Sequence, residues 1–542
     1  MASTSERVVE CLESRQSFVV EAGAGSGKTR ALVEALTHLL GSQARELLRD
    51  GQRIVCITYT NVAAREVMSR IDGDPLVVVS TIHDFLWSII GRYQAELREA
   101  ILAANLVVEP RKRIPDLDLS GLAITYWQYP RKWEKGKIHH DDVIALSAWM
   151  FENYPKLARL VVDQFPVIFV DEYQDAHAST VGLLLDVLVA RDPERLTVGL
   201  FGDHMQKIYN SGVGKVDRLD LTVIQKRENY RCSTAVIDVL NKLRPELQQV
   251  AGGNNTPGTA RFFYSESSED DAVATLRTRL RAEGWLEHQE KVLMLTKRGI
   301  AADQKWAELY AVYQARGQLS AEDFSRGDDE FGELFASIEA LVFSFQEGRF
   351  GDFLAIRGSG AGLIRRHSEK DAAVAVVATL NELRASGKIG DVLNFVWGEG
   401  LLRKPSRVNQ LEERIRIADD PDRAAKDAAF LESLYEVPYA QVSNFESYLA
   451  DKTPFTTQHG VKGEEYENVL VVLDDRLWNN YRFEAVLAGD ENRSQYGRSL
   501  NLLYVSCSRA KRHLVVLATS AMSDSALDGA RELFGEENFA RL

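Results

Sequence analysis

Eight residues near the amino end of the chain read Ala22-Gly23-Ala24-Gly25-Ser26-Gly27-Lys28-Thr29. An apolar run at residues 18–20 precedes them, and residues 31–40, which have helical spacing, follow. Small residues let consecutive backbone N–H groups turn toward a phosphate, a lysine supplies a point charge, and a threonine hydroxyl can bind Mg²⁺. The stretch predicts a phosphate-binding loop between a strand and a helix. A glycine-rich turn that binds nothing is the alternative.

A second stretch, Asp171-Glu172-Tyr173-Gln174-Asp175, directly follows the apolar residues 167–170. The carboxyl end of a buried strand is where an α/β sheet places its ligand chemistry. Asp171 suits the Mg²⁺ shell and Glu172 suits the attacking water, because hydrolysis needs one group on the metal and another on the nucleophile. Carboxylates that only complement a helix dipole are the alternative.

Short β-branched runs recur along the chain in two groups and indicate buried parallel strands. The first group comprises residues 53–60, 76–80, 167–170 and 196–201, and the second comprises 261–264, 292–296, 469–473 and 513–518. Long helix-rich stretches separate them, so we predict an α/β protein with two doubly wound sheets, each interrupted by an insertion. The predicted regions are 1–88 with 140–224, the insertion 89–139, then 225–314 with 440–542, and the insertion 315–439.

Composition limits the class of protein. The chain has 542 residues, 45% of them hydrophobic and 27% charged, which is typical of several globular domains. No apolar run reaches the roughly 20 residues that span a bilayer, and no signal-peptide pattern begins the chain, so we expect a cytoplasmic protein without membrane contact. The four cysteines form no CxxC pair, which argues against structural zinc. The net charge of −14 means that any nucleic-acid contact must run through a local groove.

An ordered set of segments resembles the UvrD/Rep/PcrA group of superfamily 1 DNA helicases. The set begins with the phosphate-binding loop and includes the acidic stretch; its other members are Thr58-Tyr59-Thr60-Asn61, Thr81-Ile82-His83, Gly202-Asp203 with Gln206, Asn229-Tyr230-Arg231, Thr457-Gln458-His459, Lys462-Gly463-Glu464-Glu465, Leu503-Tyr504-Val505 and Ser508-Arg509-Ala510. The resemblance implies two RecA-like P-loop NTPase domains with parallel sheets, each carrying a mainly helical insertion. It also implies an ATP-dependent translocase or helicase on single-stranded or forked DNA that moves 3′ to 5′.

The resemblance further implies roles for the residues of the nucleotide site. Gln206 is expected to sense the γ-phosphate, and Arg231 and Arg509 to act as arginine fingers from the second sheet. For each arginine a structural ion pair is the alternative. With Lys28, Asp171 and Glu172 these residues form the expected catalytic set. ATP is expected to lie against residues 22–29, Arg30, Tyr230, Gly463 and Glu465, with Tyr230 under the base, Glu465 on the ribose, and Mg²⁺ on Thr29 and Asp171.

A single-strand groove across both sheets is implied for a third set of residues. Its members are Thr58, Tyr59, Asn61, Thr81, His83, Thr457 and His459. Hydroxyls and amides suit sugar–phosphate contacts, and an aromatic ring can stack on any base. For either histidine taken alone, a satisfied position in the core is the favoured interpretation. The aromatic and basic residues between Tyr126 and Lys137 offer an extra nucleic-acid surface or an amphipathic patch packed on the first domain.

Departures from the family pattern bear on specificity and coupling. Arg7 stands near the place where the family has an adenine-recognising glutamine, so the preference for ATP rests on the resemblance. Residues 210–213, Asn-Ser-Gly-Val, replace an aromatic and an arginine. Val62 replaces a lysine and Ser508 a threonine. We therefore expect hydrolysis and strand binding more firmly than processive unwinding.

Three functions remain open at this point: a motor, a nucleotide-controlled sensor of DNA ends that licenses a partner with little unwinding, and a non-catalytic scaffold. About thirty residues follow the last motif, so we expect any cutting to come from another protein. Compact relatives of this size include the helicase subunit of Gabija-type anti-phage systems, which works beside an OLD-like nuclease. Housekeeping DNA repair is the competing role.

Overall fold

The computed structural model of the chain describes residues 3–58, 61–127, 131–208, 212–253, 255–265, 272–357, 367–451, 453–476 and 479–542. The side chains of residues 61, 62, 357 and 367–372 are outside this description.

The described residues form sixteen strands. In chain order these are β1 Phe18–Ala22, β2 Ile54–Ile57, β3 Val77–Ser80, β4 Thr125–Tyr126, β5 Lys137–Ile138, β6 Val167–Asp171, β7 Thr197–Gly202, β8 Thr222–Lys226, β9 Glu228–Asn229, β10 Val250–Ala251, β11 Thr259–Tyr264, β12 Glu290–Met294, β13 Phe455–Thr457, β14 Tyr466–Leu473, β15 Ala510–Ala518 and β16 Phe539–Arg541.

Within the same residues the chain forms twenty-three α-helices. The first eight are α1 Thr4–Glu13, α2 Lys28–Asp50, α3 Asn61–Arg70, α4 Ile82–Ile90, α5 Gln94–Val107, α6 His140–Asn153, α7 Pro155–Gln164 and α8 Ala178–Gly182. The next eight are α9 Thr234–Leu243, α10 Ala272–Ala282, α11 Lys297–Asp303, α12 Ala307–Arg316, α13 Gln318–Phe324, α14 Gly332–Gln346, α15 Phe350–Arg357 and α16 His367–Ser386. The last seven are α17 Ile389–Gly398, α18 Ser406–Ile417, α19 Pro421–Glu436, α20 Ala440–Leu449, α21 Phe483–Leu487, α22 Tyr496–Cys507 and α23 Asp524–Phe534.

The first large sheet has the order β3-β2-β6-β7-β1-β8 over six described strands, and every pair in it is parallel. In register, Phe18 of β1 lies between Gly199 of β7 and Thr222 of β8. All residues of β1, β2, β6 and β7 are buried, as expected for strands with helices on both faces.

The second large sheet has the order β13-β12-β14-β15-β11-β16 over six described strands, again parallel throughout. When the strands are ranked along the chain within their own sheet, both sheets have the order third, second, fourth, fifth, first, sixth. The molecule therefore contains two copies of one topology. We refer to the parts built on the first and second sheets as the first and second lobes.

Each insertion packs on one face of its sheet. One apolar core joins Val55 and Val170 of the first sheet to helices α4–α7, and another joins Val292 and Leu470 of the second sheet to the helices between α11 and α20. The opposite face of each sheet has its own core. The predicted fold class, two RecA-like domains with parallel sheets and mainly helical insertions, is confirmed. The residue boundaries of the four regions stay predictions.

Three strands of the large sheets were not predicted from the sequence: β8, β13 and β16. They are edge strands, and β13 and β16 have three residues each. Such strands lack the continuous apolar run that marks a buried strand, because one side has no neighbour to cover it. The chain after the last motif thus completes the second sheet through α23 and β16. None of the described helices is long and apolar enough to cross a bilayer.

Candidate nucleotide and nucleic-acid site

The predicted phosphate loop joins the end of β1 to the start of α2. Gly25 and Gly27 have φ angles of +70° and +75°, which side chains other than hydrogen rarely allow. Helix α2 begins at Lys28, so the N–H groups of its first turn have no partner inside the helix and are available to an anion. The Ser26 hydroxyl is buried without a hydrogen-bond partner in the described residues. The loop has the form and the free donors of a phosphate cradle.

Lys28 connects the loop to two other predicted catalytic residues. Its ammonium lies 3.2 Å from Oε2 of Glu172 and donates to Oε1 of Gln206 at 2.9 Å. Burial raises the pKa of Glu172, but Lys28 and Lys462 outweigh it, so the net shift is downward and Glu172 stays ionised. The structure thus brings three of the predicted residues into one cluster. The Lys28 ammonium, which a phosphate would contact, is here paired with side-chain oxygens of Glu172 and Gln206.

Asp171 ends β6 and is 5% exposed. Its Oδ1 accepts the backbone N–H of Glu172 at 3.0 Å. Burial raises the pKa of Asp171, and the neighbouring Glu172 carboxylate adds to the rise. A divalent cation would offset both effects, so this carboxylate fits Mg²⁺. The half-buried Thr29, in the first turn of α2, offers the second oxygen of the predicted metal site.

The second lobe contacts the phosphate loop directly through backbone and amide groups. The carbonyl oxygen of Ala24 accepts the side-chain amides of Asn229 and Gln249, each at 2.8 Å. The N–H of Tyr230 donates to the Gly25 carbonyl at 3.0 Å. Gly23 and Gly25 leave room for these groups, since an added Cβ would lie 2.0 Å from the Gln249 amide at Gly23 and 2.7 Å from Asn229 Oδ1 at Gly25. The two lobes therefore meet at the loop.

Arg231 lies at this same junction. A Cβ added at Gly25 would lie 2.8 Å from Cβ of Arg231. The guanidinium extends to Glu465, whose Oε2 is 2.6 Å from Nε, and to the Ser508 carbonyl at 3.4 Å. Its side chain is 18% exposed, so it reaches the crevice between the lobes and is paired there with a carboxylate.

Arg509 is 2% exposed, and its hydrogen bonds go to neutral oxygens. Nε donates to the Val505 carbonyl at 3.0 Å, Nη1 to the Glu464 carbonyl at 3.1 Å, and Nη2 to the Ser508 hydroxyl at 2.8 Å. Burial lowers the pKa of Arg509 to about 10, with the charge of Arg231 adding to the effect and that of Glu172 opposing it. A buried cation bonded to carbonyl and hydroxyl oxygens is suited to an anionic ligand.

The groups predicted to hold the base and ribose differ in exposure and in the partners that they now have. The Tyr230 ring is 52% exposed, and the exposed Arg30 lies within electrostatic reach of it. Arg30 itself is bonded to Glu34 at 2.8 Å. Glu465 pairs with Arg231 and with Lys511 at 3.0 Å, so a ribose contact would require it to exchange an ion pair. Gly463 has a φ of +90° and space around it.

Arg7, which the resemblance sets near the place of an adenine-recognising glutamine, donates to the Val223 carbonyl of β8 at 3.0 Å.

A cavity of about 1100 Å³ in the first lobe collects part of the predicted DNA groove. Thr58, Thr81 and His83 line it, and it reaches the carboxylates of Asp171 and Glu172. Thr81 caps α4, with Oγ1 accepting the Asp84 N–H at 3.2 Å. Burial lowers the pKa of His83, and the His140 ring, 4.8 Å away between centroids, adds to it. The part of the predicted groove that these residues form is therefore continuous with the carboxylates of Asp171 and Glu172.

The remaining groove residues lie elsewhere or outside the description. Thr457 and His459 belong to the second lobe and do not line this cavity. The Thr457 hydroxyl accepts the Gly460 N–H at 3.0 Å, and His459 Nε2 lies 2.7 Å from the Tyr481 hydroxyl. Burial lowers the pKa of His459 to about 4, so the ring is neutral at physiological pH. Tyr59 and the side chain of Asn61 lie outside the described residues.

The aromatic and basic residues between Tyr126 and Lys137 were predicted to form either a nucleic-acid surface or a patch packed on the first domain. The structure has residues of both kinds. Trp133 is 3% exposed and belongs to the apolar core, with Arg131 over its ring at 5.0 Å. Tyr126 and Trp127 line the cavity described above, and Lys137 lies 3.6 Å over the Trp127 ring. One part of the stretch therefore packs, and another part faces the cavity.

Sequence reasoning missed several residues of the cleft. Arg244 and Gln249 lie outside the family segments, and nothing in their local sequence marks them. Tyr504 lies inside a segment but was given no role; its hydroxyl accepts the Ala24 N–H at 3.1 Å. Only the packing of one lobe on the other reveals these contacts.

A phosphate loop on one parallel sheet, faced by arginines from a second sheet of the same order, defines a P-loop NTPase with paired RecA-like lobes. A family model described as an AAA domain matches residues 5–212. Gabija protein GajB of Bacillus cereus is 24% identical, over 98% of this chain and 96% of its own length. ATP-dependent DNA helicase PcrA of Leuconostoc citreum is 25% identical over 47% of this chain and 41% of its own length, and that of Staphylococcus aureus is 24% identical over 47% and 42%. The predicted resemblance is confirmed: the chain is similar to UvrD/Rep/PcrA-like superfamily 1 helicases and, over nearly its whole length, to a Gabija protein. It is an NTPase enzyme.

Proposed function

We propose that the protein hydrolyses ATP between its two lobes and uses the cycle to move 3′ to 5′ along single-stranded DNA. The observation that carries this is the buried Arg509, whose guanidinium is bonded to neutral oxygens in the crevice that also holds Lys28 and Glu172. A triphosphate supplies the missing negative charge. Because the cation and the phosphate loop belong to different lobes, binding of the triphosphate favours lobe closure.

The residues divide the chemistry among themselves. Lys28 and the N–H groups of the loop bind the β- and γ-phosphates, while Thr29 and Asp171 hold Mg²⁺, which would supply charge neutralisation when bound. Glu172 accepts a hydrogen bond from the attacking water, and Gln206 contacts the γ-phosphate. Arg231 and Arg509 stabilise the charge that develops on the transferred phosphoryl group.

The proposed sites for the base, the ribose and the DNA strand use the residues that the resemblance implies. Tyr230 stacks on the base, Arg30 lies on its other side, and Gly463 and Glu465 border the ribose. Thr58, Thr81 and His83 hold the strand in the first lobe, and Thr457 and His459 hold it in the second. Tyr59 and Asn61 complete this set by resemblance. Thr58, Thr81 and His83 line a cavity that reaches Asp171 and Glu172, so strand contact and hydrolysis are adjacent.

The cellular role we propose is anti-phage defence beside a nuclease partner of the OLD-like class. The similarity to the Gabija protein of Bacillus cereus extends over nearly the whole of both chains, whereas that to PcrA covers about half of this one. The same observation favours a second candidate, a nucleotide-controlled sensor of DNA ends that licenses the nuclease with little unwinding. DNA repair is the competing role.

The test is hydrolysis of ATP with and without Mg²⁺ in the presence of single-stranded, duplex and forked DNA and RNA, together with displacement of an annealed oligonucleotide. Strand-stimulated hydrolysis with displacement supports the motor. Strand-stimulated hydrolysis without displacement supports the sensor. Glu172→Gln is expected to bind nucleotide and to lose hydrolysis. Hydrolysis that does not respond to any nucleic acid would overturn both.

A further inference from the structure

Arg244, directly after α9 in the second lobe, places a buried guanidinium against the first lobe. The side chain is 2% exposed. Nη1 lies 2.6 Å from Oδ1 of Asp203, which follows β7, and Nη2 lies 3.2 Å from Oε2 of Glu21 in β1. Both carboxylates belong to the first lobe, so the contact exists only while the lobes are together.

From Asp203 a line of hydrogen bonds leads to the phosphate loop. Oδ2 of Asp203 accepts the amide of Gln206 at 3.0 Å, and Oε1 of Gln206 accepts from Lys28 at 2.9 Å. The Tyr504 hydroxyl, also from the second lobe, lies 3.4 Å from Asp203 Oδ2 and accepts the Ala24 N–H. The orientation of Gln206 is therefore set by a carboxylate that the second lobe holds.

The charges make this contact costly to break. Asp203 is fully buried, and burial raises its pKa while Arg244 acts in the opposite direction. Glu21, Asp203 and His204 are close enough in the described residues to suit a cation, and the cation bonded to both carboxylates is this guanidinium. Removing one partner of a buried ion pair leaves an uncompensated charge, which is strongly unfavourable. Separation of the lobes leaves Asp203 to be hydrated or protonated, and either change alters the carboxylate that accepts the Gln206 amide.

We propose that Arg244 is a positioning residue that reports lobe closure to the γ-phosphate sensor: through Asp203 it holds Gln206 in place when the lobes meet, and it frees Gln206 when they part. The inference rests on the proposed hydrolysis. The proposed role couples the second lobe to the sensor Gln206 through Asp203, and Arg244 itself lies outside the family segments. Nucleotide binding by the loop does not require it, whereas the hydrolytic step does.

The test compares Arg244→Gln and Arg244→Lys with Arg384→Gln, a partly buried arginine in the second insertion whose Nε lies 2.8 Å from a Glu339 carboxylate oxygen. Spin labels at Leu219→Cys in the first lobe and Leu286→Cys in the second report the distance between lobes, because both sites are exposed and the four natural cysteines are buried. Thermal unfolding, kcat and KM for DNA-stimulated ATP hydrolysis are measured for each variant.

We expect Arg244→Gln to widen the label-to-label distances and to lower kcat at least tenfold, with KM within threefold of the parent protein. Arg244→Lys keeps the charge but not the forked geometry, so its label-to-label distances and its kcat should lie between those of Arg244→Gln and the parent protein. Arg384→Gln should lower the unfolding temperature without moving distances or kcat. An unchanged kcat in Arg244→Gln, or a lower kcat with unchanged distances, overturns the proposal.

Two further measurements keep the inference independent of folding and of the proposed function. If Arg244→Gln does not fold, Tyr504→Phe removes only the hydroxyl at Asp203 and Ala24; a kcat reduced three- to tenfold with unchanged KM supports the line of contacts, and an unchanged kcat overturns it. If the unsubstituted protein does not hydrolyse ATP, the proposed function fails, while the label distances in Arg244→Gln still decide whether Arg244 holds the lobes together.

Discussion

In both sheets the first strand lies between the fifth and the sixth, yet the segments that leave this strand differ in chemistry. After β1 the chain reads Gly-Ala-Gly-Ser-Gly-Lys-Thr, and after β11 residues 265–271 read Ser-Glu-Ser-Ser-Glu-Asp-Asp. The first segment can turn its N–H groups to a phosphate and adds a lysine, whereas the second would repel an anion. One topology thus supplies a phosphate site in the first lobe, and the second lobe contributes cations from other segments.

A similarity accompanies this difference. The third strand of each sheet is followed by Thr-x-His, at Thr81-Ile82-His83 after β3 and at Thr457-Gln458-His459 from the end of β13. Burial lowers the pKa of both histidines, so each would meet a strand as a neutral hydrogen-bonding ring. Equivalent positions of the two sheets thus keep one chemistry at the predicted strand groove and differ at the predicted nucleotide site.

The largest expected effect comes from removing the lysine that only the first lobe has at this position. Lys28→Ala should lower ATP hydrolysis at least about a thousandfold, because the ammonium neutralises phosphate charge in the ground and transition states. DNA affinity in the absence of nucleotide should stay within threefold. The exposed Lys242→Ala, on α9, is the matched control. Steady-state hydrolysis and fluorescence anisotropy measure the two quantities, and hydrolysis within tenfold of the parent would contradict the assignment.

A smaller loss is expected when the cation of the second lobe keeps its charge but changes its shape. Arg509→Lys should lower kcat by about a hundredfold or more, since a finger arginine contributes strongly to phosphoryl transfer and its planar fork is not reproduced by an ammonium. ATP affinity should change less than threefold. Single-turnover kinetics and equilibrium nucleotide binding separate the two effects. A loss confined to binding would assign Arg509 to the ground state only.

Two glycines offer a pair of substitutions with opposite expected signs. Gly25→Ala places a Cβ at a φ of +70° and 2.8 Å from Cβ of Arg231, so it should lower the free energy of unfolding by about 1–3 kcal/mol. Gly41→Ala lies on the exposed side of α2 with no atom near the new Cβ, so it should raise that free energy by about 0.5–1 kcal/mol. Urea unfolding measures both. Equal effects would contradict both the left-handed φ at Gly25 and its close contact with Arg231.

The smallest effect concerns the histidine of the second lobe. The His459 pKa falls from an ordinary value of about 6.5 to about 4 on folding, so between these values the unfolded chain binds more protons than the folded one. Its contribution to stability is therefore lost as the pH falls from about 6.5 to about 4, with a slope of at most about 1.4 kcal/mol per pH unit. His459→Asn should reduce this slope, and the exposed His288→Asn should not. Unfolding midpoints at several pH values provide the measurement; equal slopes in all three proteins would show that His459 protonates freely when folded.

Prediction from sequence succeeded where consecutive residues supply the chemistry. A few consecutive residues were enough to predict the phosphate loop, the strand before Asp171 and the buried strands of both sheets. Strands buried on two faces require apolar runs, and an anion site requires small residues with a lysine. The edge strands β13 and β16 gave no such signal, since they are short and covered on one side only.

Two α/β lobes, one nucleotide loop and the candidate residues for the chemistry at that loop could all be predicted from the amino-acid sequence. Three features became visible only in the folded molecule. The two sheets share one strand order, Asn229 and Gln249 donate to the Ala24 carbonyl, and Arg244 pairs with Asp203. The physical reason is distance along the chain. Local patterns encode burial and turn geometry, but a guanidinium pairs with a carboxylate 41 residues away only when two separately encoded surfaces pack together.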